Sequence, residues 1–407
     1  MRRCPYQSTG GLSTRARATR TLAAAALLLT ACSGPTDRTA DAWTGTIDTL
    51  ATGRIVVRSP DAGTWQQPIV LRERFRLGTV DGSGPELFGQ IGGLALGPAG
   101  EVYILDGQVP EIRVFGGDGA HQRSFGRQGQ GPGELSNPAG LALDADGTLW
   151  TLNWGNRRYS GFDPGTGQVR REVARSVRFA TFPWPGAFEN GRRLVDVGPD
   201  AEGRTAILRL DSAFVPSEAL PLPEPAPEDR IFFHSGERRV ASVMEPFAPQ
   251  PAWAPRPRGG VVLGEGASYR LHRISFAGDT ALTFELDRAA APVTAAEQDS
   301  ALAAFRGLAG ALEATPDRQP DARSTRSAHG NVFVDDQDRT WVRSIQPAHI
   351  PPAWDVFAAD GVFLGQVLIP DLPTLPSPVI RDGRMAVVTE ADGYPSVVVY
   401  DLVEGGR

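Results

Sequence analysis

From about residue 69 onward, short apolar runs alternate with clusters of Gly, Asp and Pro, and the alternation repeats. Gly93-Leu94-Ala95-Leu96, followed by Gly100, Tyr103 and Asp106, matches Gly140-Leu141-Ala142-Leu143, followed by Gly147, Trp150 and Asn153, each position standing 47 residues after its counterpart. The register runs on through Ile112 and Phe115 against Tyr159 and Phe162, and back to Gly84-Pro85 against Gly131-Pro132. Within the second unit, residues 140–143, 148–152, 159–162 and 169–173 have strand length and are separated by hairpin turn residues.

A period of roughly 40–50 residues with four strands per unit is that of a β-propeller blade. The pattern returns at Gly330-Asn331-Val332-Phe333-Val334, Thr340-Trp341-Val342, Trp354-Asp355-Val356-Phe357 and residues 363–368. Two degraded units centre on residues 192–210 and 259–286, and a last one carries residues 384–388 and 397–400. The count predicts an all-β fold: a six-bladed β-propeller with four-stranded blades. The last unit runs out of chain after its third strand. Residues 69–77 (IVLRERFRL), before the first complete unit, are placed to supply the fourth and protect the sheet edge.

The string from Phe125 to Leu135 (FGRQGQGPGEL), then Asn137-Pro138-Ala139-Gly140, resembles the NHL repeat family, as does Asn156-Arg157-Arg158-Tyr159 after the second strand of its unit. From about Ile69 the chain resembles bacterial six-bladed propeller lipoproteins with NHL-like repeats. That resemblance implies a rigid ring that can serve binding modules and enzymes alike, including metal-dependent lyases and lactonases with ligands around the central channel.

The first segment is different in kind. Arg2, Arg3, Arg15, Arg17 and Arg20 precede an unbroken apolar run from Leu22 to Leu29, with no acidic residue among them. This is the pattern of an export signal, and the run is far short of the roughly 20 residues a spanning helix needs. Leu29-Thr30-Ala31-Cys32 resembles the bacterial lipobox, which implies an acylated Cys32 as the mature N-terminus. The expected organisation is a lipoprotein signal peptide over 1–31, a flexible tether over 32–52 and the propeller over 53–407. Such a chain sits in the cell envelope, anchored to membrane by lipid on its periplasmic or extracellular face.

Composition narrows the chemistry. Of two cysteines, Cys4 leaves with the signal and Cys32 carries lipid, so no thiol remains for a disulfide or metal. A net charge of −6 argues against a nucleic-acid partner. Every basic residue counted is an arginine, which excludes Schiff-base and lysine-base chemistry.

In a four-stranded blade the second-to-third loop and the connection to the next blade share one face. Two long insertions, 221–257 and 289–327, fall on that face. In the second, Thr294-Ala295-Ala296-Glu297 is a capping box and Leu302, Phe305, Leu308 and Leu312 recur at helical spacing, predicting one amphipathic helix over the face. The opposite face carries short turns such as Asp144-Ala145-Asp146-Gly147. A calcium loop starting at Asp144 needs an acidic residue at its twelfth position, where Gly155 stands.

The loop face offers Asp106, Glu111, Glu390 and Tyr394 and, as candidate ligand-binding residues, Asn153, Trp154, Arg157, Arg158, Arg343 and His349. Arginines beside a tryptophan can clamp a carboxylate or stack on a ring, or else pair with acidic neighbours. His234, His329 and His349 belong to the same side but show no short metal motif, and no Gly-x-Ser-x-Gly elbow is present. The expected function is therefore an envelope binding or protein-interaction scaffold with no cofactor or metal, its partner an envelope protein, peptide or saccharide. The alternative is a metal-dependent propeller lyase or lactonase-type hydrolase.

Overall fold

The strands form where the alternation placed them, and the glycines of the repeat show why the register is so strict. The computed structural model describes residues 43–79, 84–177, 184, 186–224, 226–321, 323–347, 350–371, 373 and 375–404. The expected signal peptide and Cys32 lie outside these residues.

The first sheet comprises Ile91–Leu96, Val102–Asp106, Glu111–Phe115 and His121–Phe125; the second, Pro138–Leu143, Leu149–Asn153, Arg158–Phe162 and Val169–Ala174. The degraded units form a third sheet (Ala187–Glu189, Arg193–Pro199, Thr205–Leu210, Pro216–Pro221) and a fourth (Ala252–Pro255, Val261–Gly264, Arg270–Ile274, Thr280–Asp287). The fifth is Val332–Val334, Thr340–Arg343, Ala353–Phe357 and Phe363–Leu368. In the sixth, Val379–Arg381, Arg384–Ala391 and Tyr394–Glu404 are completed by Ile69–Leu77, which pairs antiparallel with the last strand from Val397↔Leu77 to Glu404↔Ile69.

Each sheet packs face to face on the next through its own apolar joint. Leu105 and Ile112 meet Leu141 and Phe162; Leu152 meets Leu194; Val195 meets Val261. Phe284 meets Phe357, Trp341 meets Met385, and Val397 of the sixth sheet meets Leu94 of the first. Burial of each large side chain contributes about 1.5–3 kcal/mol, so the joints are a main source of the stability of the ring. This is a β-propeller. Its first strands run so close together that a Cβ on Gly93 would lie 2.7 Å from the Gly140 carbonyl carbon, and one on Gly140 2.5 Å from Trp184 O, at a φ of +67°. The recurring Gly of the repeat is the residue that lets backbones of neighbouring sheets meet.

Two expectations need correction. The tether does not extend to residue 52: Thr46–Thr49 is already a strand, paired with Ile55–Pro60, and the latter runs parallel to Thr280–Asp287 on the outer edge of the fourth sheet. The predicted helix exists, as Ala295–Ala311 with both bonds of the Thr294/Glu297 capping box, but it is not a lone cover. Phe305 packs on Phe233 of a hairpin, Arg230–Ser235 with Arg238–Met244, that belongs to the other insertion. Thr315–Pro316 adds a third strand to that hairpin. Leu308 and Leu312 are exposed, so the helical pattern overstated the buried face.

The two insertions thus build one lobe with an ionic lock. Glu245, its side chain buried, accepts from Arg318, from Arg323 at 2.7 and 2.9 Å and from Asp321 N–H at 2.7 Å, while Arg323 also reaches Asp229.

Candidate functional site

Since the sheets are antiparallel, first strands start on the face where the second-to-third loops and the lobe emerge, and end at the plain turns. Residues of all six first strands line one central cavity of about 750 Å³. Its wall carries Leu141, Phe188, Trp253 and Val334, with Asn331 and Ser377 at the loop end and Asp144, Asp336, Arg381 and Asp382 at the turn end. Asp144 is committed to its own turn: Oδ1 accepts from Asp146 and Thr148 N–H at 2.9 and 2.8 Å, and Oδ2 from Trp150 Nε1 at 2.8 Å. Among the described residues no group of three or more His, Cys, Asp or Glu side chains is arranged to hold a metal.

A second cavity, about 690 Å³, opens on the loop face between the sixth, first and second sheets, with Trp154, Glu390, Asn137 and Leu375 in its lining. Trp154 was the expected stacking platform, and the cation beside it is neither Arg157 nor Arg158. Arg175, nearly fully buried, sits 5.5 Å from the Trp154 ring and is tied to Asp196 at 2.8 Å. Asp196 also accepts from the Tyr159 hydroxyl and from Trp184 Nε1 at 2.9 Å. Burial, then the Asp196 charge, pushes the Tyr159 phenol well above its ordinary pKa, so it stays a donor. This buried network backs the cavity wall. Sequence reasoning missed it because Arg175 and Asp196 lie on different sheets and share no motif.

The other candidates divide. Asn153 is fully buried and holds its loop, accepting from Ser136 N–H at 2.8 Å and donating to Glu134 O at 2.8 Å and Ser160 Oγ at 3.2 Å. Asp106 does the same work one unit earlier, accepting four backbone N–H groups and Arg113. Arg158 is likewise internal: it donates to the Gly131 and Glu134 carbonyls and lies 3.1 Å from Glu172. Neither Asn153 nor Arg158 is free to bind a ligand. Arg157 is exposed at a left-handed φ of +53°, its N–H bonded to Trp154 O. His349 lies outside the described residues. His329 is fully buried and donates Nδ1–H to Gly330 O at 3.1 Å; burial lowers its pKa, keeping the ring neutral.

Arg343 behaves unlike the rest. It is half-buried at the loop end of the fifth sheet, its Cζ 5.9 Å from the Trp354 ring centroid, and its guanidinium makes no hydrogen bond or ion pair among the described residues.

No family model matches the chain, and no curated protein matches it in sequence. Several solved structures resemble it. A DUF4221 family member from Bacteroides vulgatus shares 10% identity over 83% of this chain and 99% of its own, with a TM-score of 0.47. Virginiamycin B lyase from Staphylococcus aureus shares 11% over 77% and 95%, at 0.38. A gluconolactonase from Xanthomonas campestris shares 13% over 75% and 83%, at 0.39. Likeness this distant carries no inference about ligand or reaction.

Proposed function

We propose that this protein is an exported lipoprotein, held to the envelope membrane by an acylated Cys32, whose six-bladed NHL-type propeller is a binding or protein-interaction scaffold. The blade count is supported by six first strands on one cavity and six apolar joints. The 47-residue register supports the NHL kinship, and the basic, apolar leader ending in Leu29-Thr30-Ala31-Cys32 supports the anchor.

The observation that carries the function is the lobe. Two separate insertions, whose contacting strands pair Phe233 with Pro316 and His234 with Thr315, assemble into one folded unit with its own apolar centre and the Glu245 lock, yet closing the ring needs neither. Elaboration confined to one face of a rigid ring is what recognition requires.

Capture from envelope extract by the detergent-solubilised full chain, followed by mass spectrometry, tests this. Arg157→Ala with Arg343→Ala should abolish capture, while Asp146→Ala on the plain face leaves it intact; the reverse outcome refutes the face assignment. Separately, Cys32→Ser should move the protein to the soluble fraction or leave it unprocessed. A processed variant that stays membrane-bound refutes the anchor.

A further inference from the structure

We infer that the loop end of the fifth sheet is a recognition point for a carboxylate-bearing ligand, engaged by the Arg343 guanidinium together with the indole N–H of Trp354. The inference rests on the scaffold proposed above and names its ligand chemistry.

Two orphaned donors stand side by side there. Arg343 and Trp354 are direct partners across neighbouring strands, and the guanidinium carbon lies 5.9 Å from the indole centroid. Trp354 is 4% exposed, and its Nε1–H has no acceptor, whereas Trp341 in the same sheet donates to Asp335 at 2.8 Å. Arg288, which reaches Ser344 beside Arg343, is by contrast paired with Asp355 and Asp61. Burial lowers the Arg343 pKa, and no carboxylate pairs with it among the described residues. A buried N–H is nearly always satisfied, so the open indole of Trp354 calls for an acceptor that its neighbours do not supply, and the half-buried Arg343 beside it brings a charge with no partner among the described residues.

The pair is also held ready. Arg343 N–H donates to Asn331 O and its own carbonyl accepts from Gly330 N–H, both at 2.8 Å. A Cβ on Gly330 would lie 2.9 Å from Arg343 Cβ, so the arginine stem rests on bare backbone. Ser344, the next residue, is buried and receives Arg288 Nη1 at 3.1 Å and Gln346 Nε2 at 3.0 Å, which anchors the base of the loop. Both open groups only donate, which selects an anion. The planar guanidinium can pair two-pronged with a carboxylate, and one positive charge beside one neutral N–H balances a monoanion rather than a phosphate dianion.

The test is an NMR titration of the ¹⁵N-labelled full chain in detergent with sodium acetate. Sodium chloride at equal ionic strength, acetamide and sodium phosphate are the comparison solutes. The Trp354 indole resonance, identified by its loss in Trp354→Phe, should shift saturably with acetate and hardly with chloride or acetamide. Arg343→Gln should weaken that binding by about tenfold or more, and Arg343→Lys less, because charge-assisted pairs are markedly stronger than neutral ones. The other indole resonances of the eight tryptophans report whether each variant is folded, and Arg343→Lys serves as the readout if Arg343→Gln is not. Absence of a saturable shift, an equal shift with acetamide or chloride, or unchanged affinity in the folded arginine variant overturns the site. Tighter binding of phosphate than acetate overturns the ligand class. A negative titration with envelope capture intact leaves the scaffold standing and removes only this inference.

Discussion

Asp196→Asn should be among the most damaging isosteric substitutions in the ring. Both side chains of the Arg175–Asp196 pair are 1% exposed, and Asp196 collects Arg175 Nε at 3.1 Å, Nη2 at 2.8 Å, Trp184 Nε1 at 2.9 Å and the Tyr159 hydroxyl. Asparagine keeps the shape but leaves a guanidinium buried without its counter-charge. Breaking a buried pair from one side costs about 3–5 kcal/mol, a large share of a typical stability of about 5–15 kcal/mol. Unfolding entropy of about 2.1 cal/mol/K per residue over the roughly 360 residues from Trp43 to Glu404 converts that loss to a fall in Tm of about 4–7 °C. Chemical denaturation gives the free energy and calorimetry the Tm. Arg175→Met on the Asp196→Asn background should recover part of the loss, with a coupling of about 2 kcal/mol between the two positions. A single-variant cost under about 1 kcal/mol, or simple additivity of the two substitutions, refutes the assignment of this pair as the prop behind the Trp154 cavity.

The lobe should open in acid before the ring does. Burial pushes the Glu245 carboxyl up, but Arg318, the Asp321 N–H and Arg323 together outweigh it and hold its pKa below the ordinary carboxylate value. Its contribution is therefore fully present above an unfolded value of about 4.3 and is lost as pH falls through the lower folded one. Limited proteolysis should show cleavage within 221–257 or 289–327 rising below about pH 4, and Glu245→Gln should show it already at pH 7. Protection unchanged in Glu245→Gln would argue against the lock. Gly140→Ala should cost about 2 kcal/mol or more by denaturation, since its Cβ meets Trp184 O at 2.5 Å and its φ is +67°, whereas Gly203→Ala, with open space around it, should cost only its backbone strain. Equal costs at the two glycines would remove the explanation of the repeat.

How much of this was legible along the chain depended on whether the information was local and periodic. Strand lengths, turn residues and the 47-residue register follow from the alternation that a pleated, half-buried strand imposes, so the four-stranded units and even the bounds of the closing strand Ile69–Leu77 could be read directly. The capping box was equally plain, because Thr294 and Glu297 answer each other within one helical turn. The proposed address and anchor rest on the first 32 residues alone, on local composition and not on fold.

What the tertiary structure decided is which polar residues are spent and which are free. Asn153, Arg158 and Trp154 look alike as surface candidates in the sequence, yet Asn153 and Arg158 are consumed by backbone groups of the preceding loop, and Trp154 backs onto Arg175, just past the last strand of its sheet. Nothing local marks Arg175 for Asp196, Glu245 for Arg323 or the helix for a hairpin more than 60 residues earlier, since these contacts arise only once the sheets are stacked. Arg343 stands out for the same reason: that it has no counter-charge among the described residues depends on the neighbours the fold brings to it, and no spacing along the chain could reveal it.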